Sequence, residues 1–445
     1  MRGPQWLPLV GFLLFFLFPA HFCEICAVNN EQQDSLAPLL TTMIQFKEHF
    51  PALDASTLIA LRLSRQHDKK DETTFINHVK QDIVGKNLTS GQLALSLLAL
   101  TATCQTSMIV EFNLVKNLEQ KFQEEVDNID VTGYPLTNYY QLGLDVLALC
   151  LLNGTYSSSK IAELFSVEPK KYYFSGQLSV DTASLAVLAL TCVNRKKPDK
   201  MIGRNISCLV EKILSEKKQD GVIGNIYSTG EAMQALFVSS EYYEKREWNC
   251  NQTLQTMLNQ ISQNLFILPM SAAQLLPALE GKTYLDVTHV SCQSSPDHFN
   301  ITTPKPVEPT HQCKENISAI YSVVDCIKNR INETIIISVP KGSVFLKVME
   351  AAQKQDSKFR FTIKTTNWGP FVTSIDDIQA SNKNGTYWEL LNNGQPLNQG
   401  VGSFVVSNGD NLVIRLVKFN EPDTGRVSNH TQPLYPTCPS VQSTP

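Results

Sequence analysis

A short apolar phrase built on Leu-x-Ala-Leu recurs along the chain, as LIALRL around Leu61, LLALTATC around Leu100, VLALC around Leu149, VLALTC around Leu190, MQALFV around Leu236 and LLPAL around Leu279. The steps between these leucines are 39, 49, 41, 46 and 43 residues, the length of two helices and two turns. Six helical hairpins follow. Each phrase is apolar nearly all round, as an inner helix buried on every side must be. The intervening QKFQEEVDNID and VEKILSEKKQD suit amphipathic outer helices. Six hairpins can stack as an open solenoid or close into a double ring; the expectation is a closed α6/α6 barrel over residues 24–292. Cys104, Cys150 and Cys192 stand just after the phrase in successive repeats, so Cys150 and Cys192 should meet on neighbouring helices and pair.

The N-terminus places the chain in the secretory route. Arg2, the apolar run Leu7 to Phe18 and the step into polar sequence at Ala20 to Cys23 form the three parts of a signal peptide, residues 1–23. No other stretch reaches the roughly 18 apolar residues that span a bilayer. Asn-x-Ser/Thr sequons at Asn87, Asn153, Asn205, Asn251, Asn300, Asn316, Asn332, Asn384 and Asn429 read as exposed glycosylation sites in an exported chain. The 11 cysteines become an even number if cleavage follows Cys23, which suits disulfide bracing of large domains. A net charge of -4 gives no reason to expect nucleic acid or an anionic membrane as partner.

After the sixth phrase the composition changes. Residues 293–317 carry Pro296, Pro304, Pro306 and Pro309 among polar spacers, as an extended linker does. Beyond it NETIIISV, KFRFTIKT, TYWELL, GSFVV and NLVIRLVKF alternate with NG and SNGD turn signals around one helical stretch, Val344 to Lys354. Residues 318–419 are therefore expected to form a small mixed β domain, and the Pro/Ser/Thr-rich residues 420–445 a disordered tail. The fold class is multi-domain α and β.

Several catalytic chemistries lack their residues. None of the eight histidines lies between His78 and His289, so that stretch holds no His-based triad, H-E-x-x-H zinc site or C-x-x-C pair. Helical double rings also house glycosidases, which need two facing carboxylates, and Asp145 with Asp181 is the pair on offer. Asp127 and Asp130 fall short of the D-x-D-D acid of a cyclase. More suggestive are polar groups near the inner-helix starts: Thr137, Tyr140, Gln141 and Asp145 in TNYYQLGLD, Ser179 and Asp181 in SVDT, Asn225, Tyr227 and Gln234 in GNIYSTGEAMQ, and Gln274 in AAQLLPAL. Ser179, Asp181 and Thr229 could equally be helix caps. Together the set favours an amide-rich ligand over a catalysed reaction.

PLTNYYQLGLDVLALC, SVDTASLAVLALTC, STGEAMQALFVSS, AAQLLPALEGKTYLD, NWGPFVTSI and TYWELLNNGQPLNQGVGSFVV resemble the cobalamin-transport family of haptocorrin, intrinsic factor and transcobalamin, from the signal peptide to about Lys418. The resemblance implies a non-enzymatic carrier of cobalamin and related corrinoids, clamped between the barrel and the β domain. It implies ligand contacts from Thr137, Tyr140, Asp145, Asp181, Asn225, Gln234 and Gln274. In the β domain it implies Trp368, Gly369, Pro370 and Phe371, then Trp388, Glu389, Leu390, Leu391, Gln395, Pro396 and Leu397, and Ser403 with Phe404, although the tryptophans could instead fill the β-domain core. It also implies bridges Cys26–Cys250, Cys104–Cys292 and Cys150–Cys192, leaving Cys208, Cys313, Cys326 and Cys438 without counterparts. Transcobalamin has a cobalt-coordinating histidine just before S-V-D-T; here Leu178 stands there. That points to the haptocorrin branch and leaves the cobalt without a protein ligand. A monomer and a possible cell-surface receptor complete what the resemblance implies.

Overall fold

The structure, a computed structural model, describes residues 26–45, 51–65, 69–174, 177–263, 265–266, 269–292, 316–366, 369–381, 385–397 and 399–418. The signal peptide, the tail, most of the linker, Trp368, Cys313, Cys438 and the sequons at Asn300, Asn384 and Asn429 lie outside them. Helices run in chain order α1 (Ala37–Ile44), α2 (Pro51–Leu63), α3 (Lys69–Gly85), α4 (Ser90–Ala102), α5 (Thr106–Glu111), α6 (Leu114–Thr132), α7 (Tyr139–Leu151), α8 (Ser158–Leu164), α9 (Pro169–Tyr172), α10 (Val180–Lys196), α11 (Lys200–Ser215), α12 (Thr229–Val238), α13 (Cys250–Ser262), α14 (Pro269–Leu279) and α15 (Phe345–Gln355).

All six apolar phrases lie in helices, namely α2, α4, α7, α10, α12 and α14. Each packs on the next, and α14 returns to α2. The ring is closed, so the open solenoid is excluded. From Tyr139 to Cys150 every residue of α7 is buried, and the same holds for all of α12. By contrast α6 and α11 bury one stripe each, Leu118, Phe122 and Val126 in the first, Ile202, Ile206, Leu209 and Ile213 in the second. Side-chain caps start three of the inner helices: Thr89 accepts from the Gln92 N–H ahead of α4, Asn138 from the Gln141 N–H ahead of α7, and Ser179 from the Thr182 N–H ahead of α10. The outer layer is irregular between α7 and α10, where short α8 and α9 and the two-residue strands β1 (Tyr173–Phe174) and β2 (Gln177–Leu178) replace one long helix.

Disulfides join Cys26 to Cys250, Cys104 to Cys292 and Cys150 to Cys192. Cys326 is oxidised with a partner outside the described residues, and Cys208 is a free thiol. Of the described sequons, Asn87, Asn153, Asn251, Asn316 and Asn332 are exposed. Asn205 corrects the expectation: it is buried within α11, and its amide nitrogen, the atom a glycan would occupy, donates to the Ala162 carbonyl at 2.8 Å.

The second unit starts with β3 (Asn316–Asp325), inside the segment read as linker, followed by β4 (Asn332–Pro340), β5 (Phe361–Thr366), β6 (Gly369–Ile375), β7 (Ile378–Gln379), β8 (Thr386–Asn392), β9 (Gln395–Pro396) and β10 (Asn411–Lys418). One sheet has the order β4-β3-β10-β8-β9 and a smaller one β5-β6-β7. Only the β10–β3 pairing of the first sheet is parallel; its other described pairings are antiparallel. Helix α15 packs on β3 and β4, around a core that includes Tyr321, Phe345, Val348 and Ile414 and is separate from the core of the ring. Among the described residues no helix is long and apolar enough to cross a membrane.

Candidate functional site

The first turns of α7, α10 and α12 bring polar side chains to one end of the ring. Tyr140, in the first turn of α7, donates from its hydroxyl to Glu231 Oε1 at 2.5 Å. Gln274 of α14 donates to the same oxygen at 3.1 Å. Burial, then the nearby charge of Asp181, raises the Glu231 pKa well above the carboxylate range, partly offset by the Tyr140 and Gln274 hydrogen bonds. Burial pushes Asp181 up to about 6. Burial thus favours the protonated form of Glu231, and Asp181, in the first turn of α10, is the carboxyl of the pair that retains accessible surface. The Tyr284 hydroxyl lies close enough to both carboxyls for its own pKa to rise with them, burial being the larger cause. The cluster is a hydrogen-bonding surface with little fixed charge.

A second polar cluster lies beside it. Glu125 of α6 accepts from the Ser90 hydroxyl at 2.9 Å and from the Thr137 N–H at 3.0 Å. Asp145 has no exposed surface, and neither carboxylate oxygen has a hydrogen-bond partner. Burial, then Glu125, raises its pKa well above the usual range; Ser90 lies near enough to lower it a little, although its hydroxyl proton points to Glu125. Asp145 is thus a carboxyl buried inside the wall, pushed toward its protonated form, and not at the ring opening where the sequence placed it. Gln141 is also buried; it accepts from the Thr89 hydroxyl at 2.6 Å and packs over Gly91, whose missing Cβ would lie 2.6 Å from it.

Other sequence candidates hold the scaffold. Gln234 is fully buried, donates to the Gln274 carbonyl at 3.2 Å and accepts from the Tyr284 N–H at 3.0 Å. With both ends of its amide occupied it is a clamp between α12 and the chain after α14, which corrects its reading as a ligand contact. Asn225 accepts from the Tyr227 and Ser228 N–H groups at 2.8 and 3.0 Å and so shapes the turn before α12. That turn presents Tyr227 half-buried, edge-on to Phe266. Glu231, Glu125, Ser90 and Tyr284 were not singled out from sequence. Glu231 looked like an ordinary first-turn acid of a helix; the available signal was a lone acid in an otherwise apolar inner phrase, a place charges avoid unless partnered.

In the β domain the alternation of β8 divides the expected run. Trp388 is buried in the core with α15, and Leu390 packs against that same core. Glu389 and Leu391 point to the opposite face, where Glu389 accepts from Arg415 at 2.5 Å and Leu391 packs on Val324 and Val413. One continuous ligand-facing segment from Trp388 to Leu391 is thereby corrected, because neighbouring strand residues face opposite sides. Pro370, Leu397, Ser403 and Phe404 remain partly accessible, and Phe371 is 45% exposed. The loop at Gly402 presses on Pro370, where a Cβ would come within 2.8 Å. Backbone bonds from Phe345 to Phe404 and from Leu346 to Val401 tie that loop to the start of α15. Gly369 opens β6 opposite Thr366, and the β9 strand of Gln395 and Pro396 pairs with the end of β8.

Residues 8–312 match the family described as eukaryotic cobalamin-binding protein. The chain belongs to that family. Residues 342–418 match a domain family of unknown function. Transcobalamin-1 of Homo sapiens is 47% identical over 439 residues, covering 94% of this chain and 100% of the relative. Cobalamin binding intrinsic factor of Mus musculus is 35% identical over 414 residues, covering 88% and 94%. The solved structure of haptocorrin in complex with Cbi aligns with a TM-score of 0.79 at 44% identity, over 89% of this chain and 100% of that one. Its cobalamin-binding relatives thus share both of its units, barrel and β domain.

Proposed function

We propose that this chain is a secreted, monomeric, non-enzymatic carrier that holds cobalamin and related corrinoids between the mouth of the helical ring and the partly exposed apolar patch of the β domain. The observation that supports it most is the convergence of Tyr140, Asp181, Glu231 and Gln274 at one ring end. A periphery of amides, as on a corrin, needs donors and acceptors with little fixed charge, and a protonated Glu231 beside a phenol and a carboxamide supplies them. Thr137, Asn225 and Tyr227 border the same helix starts, and Pro370, Phe371, Leu397 and Phe404 offer apolar contact to the ring face. Glycoside hydrolysis is disfavoured, because Asp145 is sealed against Glu125 while Asp181 faces the Glu231 cluster. The two do not flank a common space as that chemistry requires.

Leu178 is buried immediately ahead of the Ser179 cap, so the cobalt of a bound corrinoid keeps water or its own substituent on that side. The chain is read as haptocorrin-like in selectivity, with an intrinsic-factor-like carrier for receptor-mediated uptake as the alternative. Saturating the purified protein with cobalamin and passing it through gel filtration tests the carrier: the corrin absorbance band should travel with the protein, and colourless protein would overturn it. Competition with cobinamide then separates the subtypes, since a haptocorrin-like site accepts it and an intrinsic-factor-like site rejects it.

A further inference from the structure

Among the described strands β4 is the end strand of its sheet, hydrogen-bonded to β3 alone. From Thr334 to Val339 it reads TIIISV, uncharged and mostly β-branched, with its proline only at the last position. An edge of this kind is a template for pairing with another chain, and natural edges are blunted by charge, proline or a cover. The register sets Ile320 of β3 directly opposite Ile336 of β4. Both point outward, 37% and 69% exposed, while Ala319, Tyr321 and Ile337 face the core.

Directly opposed residues of an antiparallel pair share a face, as do residues two apart along a strand. Asn316 on β3 and Asn332 on β4 therefore stand on the same face as the isoleucine pair, and both are exposed. Each opens a sequon, Asn316-Ile317-Ser318 and Asn332-Glu333-Thr334. Asn316 pairs with Pro340 and Asn332 with Val324, so the two attachment points bracket the pair from opposite ends. Each is about 13 Å along its strand from the nearer isoleucine, four residues at strand rise, within reach of a branched glycan. The exposed barrel sequons Asn87, Asn153 and Asn251 sit instead on helix ends and connecting turns.

We propose that N-linked glycans on Asn316 and Asn332 lie over the outer face of β3 and β4 and prevent two copies of the chain from associating through this edge. The inference rests on the secretory route proposed above. The test compares the full chain secreted from glycosylating cells with N316Q/N332Q and with the barrel control N87Q/N153Q, by sedimentation over a range of concentrations. N316Q/N332Q should self-associate at a concentration at least about tenfold lower than wild type, the control should behave as wild type, and adding I336K to N316Q/N332Q should restore the monomer. If N316Q/N332Q is not secreted, folded wild-type protein trimmed by an endoglycosidase to single sugars replaces it. A variant or trimmed protein that stays monomeric, or association that I336K does not relieve, overturns the proposal. Peptide mapping of wild type should find Asn316 and Asn332 occupied and Asn205 bare. Occupancy elsewhere but not at those two overturns the shield, whereas occupancy nowhere overturns the secretory route itself.

Discussion

A carboxyl group whose pKa is raised by burial destabilises the folded chain wherever it is ionised. Asp181 stands at about 6 in the folded ring and in the ordinary carboxylate range once unfolded. Between those values the native chain binds the extra proton, so this group's contribution to stability falls as pH rises through the window and is fully unfavourable above it. Asp181→Asn removes the penalty. Relative to wild type its melting temperature should rise by about 2–4 °C near pH 7.5 and be unchanged near pH 4; an equal shift at both pH values would show that the charge is not the cause. Glu231, pushed by burial toward its protonated form, is then close in shape and charge to a carboxamide. Glu231→Gln should therefore cost under about 1 kcal/mol in denaturant unfolding, because its oxygen can still accept from Tyr140. Glu231→Ala should cost about 3 kcal/mol by taking an acceptor from that hydroxyl and from the Gln274 amide and opening a cavity. Similar losses for both variants would mean that Glu231 is ionised in the fold.

Helices that are apolar on every side have one place to go, which is why the inner ring was legible from Leu61 to Leu279 while the elements around it were less so. The polar stripes of α6 and α11 announce outer helices, whereas in SSSKIAELFSVEPKKYYF Pro169 marks the break before α9, but nothing local announces the short hairpin that follows. Lys171, its ammonium buried, ties the pieces together by bonding the Glu163 carbonyl and Glu168. The mouth was half legible for the same reason: Tyr140, Asp181 and Gln274 stood out as polar groups in apolar phrases, but their meeting on Glu231 depends on the ring closing. In β8 the sequence marks one run from Trp388 to Leu391, and the strand's alternation decides that Trp388 and Glu389 face opposite ways. Closure also dictates Gly230, where a Cβ would lie 2.7 Å from the Leu275 Cα and 2.9 Å from the Gln274 carbonyl oxygen. Those are backbone atoms that cannot swing aside. Gly230→Ala should push α12 from α14 and cost about 1–3 kcal/mol, and because Glu231 and Gln274 flank the contact it should also speed corrinoid release. Unchanged stability and unchanged release would mean that the two helices are not held this close.

At the scale of the whole chain, the ring and the β domain have separate cores, and the Cys26–Cys250, Cys104–Cys292 and Cys150–Cys192 bridges all lie within the ring. Units that share no core and, among the described residues, no cross-link unfold as independent cooperative blocks, and a ligand held between them couples the two, because only the doubly folded state binds it. Calorimetry of the ligand-free protein should then resolve two transitions, the smaller β domain contributing the smaller enthalpy in proportion to its length. Saturation with cobalamin at a thousandfold over its dissociation constant adds about 4 kcal/mol to the folded state, so both transitions should move up and merge into one. If only the ring's transition moves, the ligand is held by the ring alone and the β domain is a passenger. If a single transition is present without ligand, the two units are already coupled through their own contact, and closure on the corrinoid is not what joins them.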